Sequence, residues 1–188
     1  QQLVQLLENR LQGDDKWAQN NRGMKTEELV NNIADWVSPG TTSLNGGDKM
    51  SLYSGTEPPY APPMRAMKTL DELHMVKGVT DEIYKILAPR VTVYGVKGVN
   101  VNTASKEVIK SLDKNLNDEA VNAIMERRGD PTKGGPFKDE ADLKGFISTF
   151  VNVENFNKNP EIPLLFDSEF NFRVLSVGNY KRATREIV

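Results

Sequence analysis

Apolar residues recur at helical spacing in two separate stretches near the start of the chain. The first stretch has its apolar positions at Leu3, Val4, Leu7 and Leu11. It is followed by Gly13-Asp14-Asp15, a sequence that ends a helix. The second stretch opens at Thr26, a residue type that favours the N-cap of a helix. Its apolar positions are Leu29, Val30, Ile33 and Val37. The pattern therefore predicts two amphipathic helices, each with one face on a core.

Residues 38–66 form a segment rich in Pro and Gly between these helices and the centre of the chain. The segment begins with Ser38-Pro39-Gly40 and contains the run Pro58-Pro59-Tyr60-Ala61-Pro62-Pro63. Such a composition favours turns and polyproline II backbone over helix or sheet. We predict an extended loop that acts as a spacer along the surface of the domain. A ligand segment for an SH3-type domain is the alternative.

The centre of the chain is predicted to hold two helical-hairpin-like units, at about residues 67–89 and 102–128. In the first unit the turn is at Lys77-Gly78, Thr80 caps the second helix, and Pro89 ends it. Residues 91–94 read Val-Thr-Val-Tyr and are predicted to be a short strand or an extended link.

The second unit carries the strongest helix signature in the sequence. Its closing helix begins at Asn117, stops at Gly129, and is followed by Pro131. A further short helix follows Asp139. These elements make the chain mainly helical up to about residue 160.

The periodicity changes near the C-terminus. Phe170, Phe172 and Val174 alternate with polar residues, which is the pattern of a strand with one buried face. Gly178-Asn179 is predicted to be the two-residue turn of a β-hairpin whose second strand runs from Tyr180 to Val188. A lone hairpin is only marginally stable in water, so the helical body or further strands must cover it.

Composition and charge exclude several functional classes. The net charge of −2 gives no overall field that would attract nucleic acid or an anionic membrane. No apolar run approaches the ~20 residues that span a bilayer. The chain has no Cys, which removes disulfides, thiolate nucleophiles and Cys-based zinc sites.

Paired acidic residues are the main candidates for catalysis. They occur at Glu27-Glu28, Asp81-Glu82, Asp118-Glu119 and Asp139-Glu140. Each pair lies in or beside the first turn of a predicted helix, where negative charge favours the helix dipole. His74 is the only histidine, and no activated nucleophile accompanies it. We therefore predict that the chain is not an enzyme; a hydrolase that uses clustered acids is the minor alternative.

Both central units resemble helix-hairpin-helix units, and the unit at residues 102–128 is similar to the DNA-binding modules of competence proteins. Those modules bind phosphate through backbone amides that hairpin glycines expose. Here the second hairpin reads Asp113-Lys114-Asn115-Leu116-Asn117 and has no glycine. From residue 98 to 148 there are eight Lys and Arg against nine Asp and Glu. We therefore expect no nucleic acid as partner. A competence-type DNA-binding protein is the alternative to this prediction.

An ordered set of motifs across residues 26–150 resembles the minor pseudopilin K family of bacterial type II secretion systems. The matching motifs are Ala34-Asp35-Trp36, Pro59-Tyr60-Ala61-Pro62, Leu70-Asp71-Glu72-Leu73, Val76-Lys77-Gly78-Val79, Leu87-Ala88-Pro89-Arg90-Val91-Thr92-Val93, Val99-Asn100-Val101-Asn102-Thr103-Ala104 and Gly135-Pro136-Phe137.

The resemblance implies an α+β, mainly α fold, in which a helical domain with two helix-hairpin-helix-like (SAM-like) units is inserted in a small pilin-type antiparallel sheet. Residues 1–160 would be the insertion domain and 161–188 the C-terminal hairpin of that sheet. The family's hydrophobic N-terminal helix, which anchors it in the inner membrane, is expected to precede residue 1. We expect the periplasmic part of an inner-membrane-anchored protein of a Gram-negative bacterium.

The resemblance also implies a function and partners. Family members cap the tip of the pseudopilus together with the minor pseudopilins I and J. The family binds calcium in the loop after the Asp-Trp motif. Asp35 and Asp48 are the possible calcium ligands here, because Ser38 and Gly40 stand where further acidic residues are expected. Stiffening of the same loop by Pro39 and Gly40 without a metal ion is the alternative.

Overall fold

The computed structural model describes residues 1–94, 98–154, 156 and 163–167, and the backbone of two strands at 176–180 and 183–187. In these ranges the α-helices are α1 Gln2–Gly13, α2 Asp15–Asn20, α3 Thr26–Val37, α4 Asp81–Leu87, α5 Lys106–Lys110, α6 Asp118–Gly129 and α7 Glu140–Ile147. Short 3-10 helices lie at Met50–Leu52, Leu70–Met75 and Pro131–Lys133. The strands are β1 Val99–Asn100, β2 Leu164–Leu165, β3 Ser176–Tyr180 and β4 Ala183–Ile187. The prediction of an α+β, mainly helical fold is confirmed.

Side-chain caps set the starts of several helices. Thr80 accepts from the backbone N–H of Ile83 at the start of α4, and Asn117 accepts from that of Ala120 at the start of α6. Both caps were predicted from the sequence. The predicted cap at Thr26 is wrong by one residue, because Lys25 occupies the N-cap position of α3 and makes no side-chain cap bond.

The first hydrophobic core is built by α1 to α4 and the segments between them. Its buried residues are Leu6, Leu7, Trp17, Leu29, Trp36, Tyr53, Leu73, Val76, Val79, Ile83 and Leu87. The predicted apolar face of α3 contacts this core: Leu29 is buried, and Val30, Ile33 and Val37 are partly buried and pack against it. Asn32 and Asp35 are buried as well, because the loop after α3 folds back and covers their side of the helix.

The second core lies between α5, α6 and α7. It contains Val101, Ile109, Leu116, Ala120, Val121, Ile124, Phe137, Leu143, Ile147 and Phe156. The two cores adjoin at α5. Val108 of that helix packs against the first core, and the Arg90 guanidinium lies 3.5 Å from the Glu107 carboxylate.

The second core is closed by a pair of parallel strands. In β1 and β2, Val99 pairs with Leu164 and Asn100 with Leu165. No strand forms at residues 91–94, so of the two predicted alternatives, a short strand or an extended link, the link remains. The strand forms at β1 instead, because pairing requires a partner and the segment at 163–167 supplies one.

The C-terminal strands β3 and β4 are antiparallel and pair from Ser176 with Ile187 to Tyr180 with Ala183. The predicted turn at Gly178-Asn179 is wrong, since Gly178 pairs with Arg185 and Asn179 with Thr184. The register is set by all the residue pairs between the two strands, so the turn-like composition of two residues does not decide where the turn lies. The predicted strand residues Phe170, Phe172 and Val174 lie outside the described residues.

Candidate functional site

The loop at residues 38–49, called the 38–49 loop, folds back onto the C-terminal half of α3. Asp35 holds it there: its carboxylate accepts from Ser43 Oγ at 2.7 Å and from the backbone N–H of Leu44 at 3.0 Å. Ser43 is fixed in turn, since its backbone N–H donates to the Gly47 carbonyl at 3.0 Å. The side chain of Asp35 is only 3% exposed. The carboxylate of this predicted calcium ligand therefore accepts hydrogen bonds from the loop itself.

Lys49 lies beside Asp35 with a side chain that is 2% exposed. Its Nζ donates to the carbonyl oxygens of Asp35 at 3.2 Å and Ser38 at 3.1 Å, and to Ser38 Oγ at 2.8 Å. The same nitrogen is 3.6 Å from Asp35 Oδ1. The three N–H groups of an ammonium thus meet three oxygens, and the charge is paired with a carboxylate.

Asp48, the second predicted ligand, is exposed and serves a different purpose. Its Oδ2 accepts from the backbone N–H of Ser51 at 3.2 Å, and its carbonyl accepts from Ser51 Oγ at 2.7 Å. Asp48 thus bonds the first turn of the 3-10 helix Met50–Leu52, whose N-cap position is Lys49, and its backbone pairs with that of Thr42. The two predicted ligands are engaged with separate sets of donors.

The side chains around Asp35 do not fit a calcium ion. Calcium takes six to eight oxygen ligands, and strong sites include several carboxylates. Among the described residues no group of three or more His, Cys, Asp or Glu side chains could hold a metal ion. The cationic group that faces Asp35 is the Lys49 ammonium. A second cation at the same oxygens would meet electrostatic repulsion.

An aromatic cluster connects the Pro-rich segment to the first hairpin unit. The ring of Tyr53 lies 5.4 Å from that of Trp36 and 5.2 Å from that of Tyr60. Tyr60 OH donates to the Met75 carbonyl at 2.8 Å, and burial raises the pKa of Tyr53. The segment is thus more than an extended surface spacer: it contains the 3-10 helix Met50–Leu52 and places Tyr53 in the first core, and Tyr60 is used in an internal contact.

Glu72 fixes the start of the first hairpin unit. Its carboxylate accepts from the backbone N–H of Lys68 at 2.7 Å, from Trp36 Nε1 at 3.4 Å and from Arg65 at 3.3 Å. The bond from Lys68 is the main reason that the pKa of Glu72 lies below its ordinary value. This carboxylate is a structural acceptor and not a poised acid.

The hairpin of the second unit uses its own backbone amides. Asp113 Oδ1 accepts from the N–H of Asn115 at 2.8 Å, and the Asp113 carbonyl accepts from the N–H of Leu116 at 3.1 Å. Asn117 Oδ1 accepts a hydrogen bond from the backbone N–H of Ala120 at 2.8 Å. A phosphate at this hairpin would compete with these acceptors and meet a carboxylate of like charge.

The basic residues at the end of α6 are engaged inside the domain. Arg127 Nη2 lies 2.7 and 2.8 Å from the two carboxylate oxygens of Asp142. Its guanidinium also lies 4.2 Å from the ring centroid of Phe137 and 4.9 Å from that of Phe146. Arg128 Nη1 donates to the Val101 carbonyl at 2.7 Å. Both guanidinium groups are thus used, at least in part, in contacts within the domain.

The paired acidic residues lie where the sequence placed them. Glu27-Glu28, Asp81-Glu82 and Asp118-Glu119 occupy first turns of helices, and Asp139 caps α7. The pKa of Asp118 is lowered, chiefly by a hydrogen bond from Lys110. His74 stacks on Tyr84 with 3.9 Å between ring centroids and faces Asp81 at 3.4 Å.

Sequence reasoning missed the most unusual residue of the 38–49 loop. Lys49 follows Gly46-Gly47-Asp48 in a polar stretch, where a lysine is expected to be exposed. The burial of Lys49 could not be read from nearby residues, because it depends on the tertiary fold. Two carbonyls and a carboxylate at the end of α3 surround its ammonium. Helix α2, which buries Trp17, was also missed, since six residues are too few for a periodic pattern.

Two sequence models of one family match the chain in succession. Both are described as type II secretion system (T2SS), protein K, and they match residues 2–96 and 99–170. The boundary between the matches falls between the two hydrophobic cores. None of the helices among the described residues is long and apolar enough to cross a membrane.

Curated relatives similar to the chain include two type II secretion system K proteins, as their names state. The type II secretion system protein K of Aeromonas hydrophila is 33% identical over 115 residues, covering 57% of this chain and 34% of the relative. A putative protein K of Escherichia coli strain K12 is 30% identical over 77 residues, covering 41% and 24%. The chain therefore spans about a third or less of these relatives.

Among the similar solved structures is a crystal structure of the GspK-GspI-GspJ complex from the type 2 secretion system of enterotoxigenic Escherichia coli. The TM-score is 0.51 at 15% identity, over 77% of this chain and 52% of the matched chain. This likeness shows that the fold is shared.

Proposed function

Because the chain belongs to the type II secretion system protein K family, we propose that it forms the bulk of a minor pseudopilin at the tip of the secretion pseudopilus. The observation that carries the proposal is the match of both halves of the chain, in order, to that family. We propose that the chain acts by assembly and has no catalytic activity. In support, the paired acidic residues predicted as candidates lie in the first turns of helices, and Asp139 caps α7.

We propose the minor pseudopilins I and J of the same system as the partners. The similar crystal structure contains GspI and GspJ together with GspK, and this supports the choice. The two helix-hairpin-helix-like units would give the subunit a bulky head that hinders the addition of another subunit above it. This head would cap the filament in the periplasm, with the protein held in the inner membrane by the family's N-terminal helix.

The strands β3 and β4 are proposed to belong to the small pilin-type antiparallel sheet that carries the inserted helical domain. In this view residues 1–160 form the insertion and 161–188 lead into the sheet. Strand β2 and Phe166 contact the second core, so residues 163–167 would be the junction between the insertion and the sheet.

The direct test uses the longer protein that includes the whole sheet. It is purified together with its I- and J-type partners. A complex that contains all three proteins on size-exclusion chromatography with light scattering is the expected result. Failure to associate with either partner would contradict the proposal. A filament-length assay tests the cap: pseudopili are expected to be longer when residues 101–163 are deleted from the head.

A further inference from the structure

A buried lysine occupies the place where the family resemblance led us to expect a metal ion. Lys49 closes the 38–49 loop: its backbone N–H donates to the Thr41 carbonyl at 2.8 Å. Its side chain then runs inward until 98% of it is covered, as its exposed fraction of 2% shows. Lysine almost never takes such a position unless its charge is paired.

The oxygens around Lys49 Nζ are of the kinds that otherwise coordinate calcium. They are two main-chain carbonyls, from Asp35 and Ser38, one hydroxyl, from Ser38, and one carboxylate, from Asp35. The carbonyl of Asp35 is among the last four of α3, which have no partner inside the helix. An ammonium there satisfies these acceptors and favours the negative end of the helix dipole.

The pairing of charges at this point is complete without a metal ion. Asp35 also accepts from Ser43 Oγ and from the N–H of Leu44, so both carboxylate oxygens have donors. We infer that the Lys49 ammonium acts as a built-in cation that fixes the 38–49 loop on α3, and that this loop folds independently of calcium. The inference does not rest on the assembly role proposed above.

Calcium titration of the unaltered chain is the first test. The thermal unfolding midpoint is measured by circular dichroism in EDTA and in millimolar calcium, with calorimetric titration in parallel. We expect the two midpoints to agree within about 1 °C, and we expect no heat of calcium binding. For comparison, a ligand present at 100 times its Kd would raise the midpoint by about 5–10 °C. A calcium-dependent rise, or binding at micromolar Kd, would overturn the inference.

Substitution of the lysine is the second test. Lys49→Met keeps the length of the side chain but leaves Asp35 as an unpaired buried charge, so we expect the midpoint to fall by about 10 °C or more. Lys25→Met is the matched control, because the Lys25 side chain is 80% exposed, and it should shift the midpoint by less than about 2 °C. Equal midpoints for the two variants would overturn the inference.

The paired variant separates loss of the charge partner from a general packing defect. In Asp35→Asn/Lys49→Met both charges are gone, and we expect a midpoint higher than the sum of the single effects predicts, by several degrees. Strictly additive losses would contradict a role as internal cation. If Lys49→Met does not fold, recovery of a cooperative transition in the paired variant gives the same answer, and continued failure to fold contradicts the role.

Discussion

Arg127 Nη2 contacts both carboxylate oxygens of Asp142, at 2.7 and 2.8 Å, and so ties the end of α6 to the first turn of α7. The guanidinium contacts the rings of both Phe137 and Phe146, whose centroids are 5.5 Å apart, and only 13% of the Arg127 side chain is exposed. A flat, delocalised cation suits this position better than a compact ammonium.

Arg127→Lys should therefore lower the free energy of unfolding by ~1–2 kcal/mol, because the stacking on two rings is lost while the charge is kept. Arg127→Ala should cost ~3 kcal/mol or more, since Asp142 then loses its partner. Urea unfolding followed by circular dichroism measures both. Arg10→Lys is the control: that side chain is 45% exposed in its pair with Asp14, and a change within ~0.5 kcal/mol is expected. A loss in Arg127→Lys no larger than that of the control would contradict the stacking.

The same pair predicts how stability depends on pH. The hydrogen bond from Arg127 is the main cause that lowers the pKa of Asp142 below its ordinary value of 3.8. At pH values near these two pKa values, the carboxyl of Asp142 thus binds fewer protons in the folded state than in the unfolded chain. The stabilisation is complete above the unfolded pKa and is lost as the pH falls through the lower folded pKa.

The unfolding free energy is measured from pH ~6 down to pH ~3, and it should fall less steeply for Asp142→Asn than for the unaltered chain. Arg127→Met should flatten the slope in the same way, and an unchanged slope in either variant would contradict the assignment.

Gly78 is the hairpin glycine of the first unit, and its backbone has a φ of +91°. A Cβ there would lie 3.2 Å from Leu29 Cδ1 in the first core. Gly78→Ala should destabilise the chain by ~1–2 kcal/mol, because L-residues disfavour this conformation and Leu29 must move. Gly145→Ala in α7 is the matched control, since its Cβ meets nothing within 4 Å. There the same change should stabilise by up to ~1 kcal/mol, as measured by denaturant unfolding. The same sign for both variants would refute this interpretation.

Asn102 connects three segments of the second core. Its Nδ2 donates to the carbonyls of Phe137 at 2.8 Å and Phe166 at 2.9 Å, and its Oδ1 accepts from the Phe137 N–H at 2.8 Å. Asn102→Asp replaces the donor by an oxygen that faces two carbonyls, so we expect a loss of ~2–4 kcal/mol at pH 7. Asn122→Asp on the exposed side of α6 is the control and should have little effect. Hydrogen exchange at residues 164–166 should rise in Asn102→Asp alone.

The chain should not bind nucleic acid at physiological salt. The hairpin amides at Asn115 and Leu116 have internal acceptors, and the net charge of the chain is −2. A gel-shift assay with duplex DNA at ~150 mM salt should show no retardation at ~10 µM protein. A salt-dependent shift at that concentration would favour the competence-type alternative.

Local signals were predictable from the sequence, whereas burial of polar groups was not. Thr80 and Asn117 were found as caps because a cap acts on residues three positions away, within one turn of helix. Asp35 was found as a site residue only through the family resemblance, and its use by Ser43 and Leu44 depends on how the loop folds. The burial of Lys49 has no local signature at all, since its partners come from the end of another element.

Strand pairing shows the same limit at longer range. The segment Val99-Asn100-Val101-Asn102 was recognised as a motif, yet its role as β1 depends on Leu164 and Leu165, more than 60 residues later. Likewise Gly178-Asn179 has the composition of a turn, but the register with Thr184 and Arg185 places both residues inside a strand.

The parallel pairing of β1 with β2 has a mechanical consequence. The chain enters the second unit through β1 and leaves it through β2, and both strands point in the same direction. A pull on the chain from the two sides of this unit therefore acts along the strands, so that their hydrogen bonds resist together in shear. Asn102, which bonds the Phe166 carbonyl, shares that load. Tension along the backbone would be borne at this junction before it reached α5, α6 or α7.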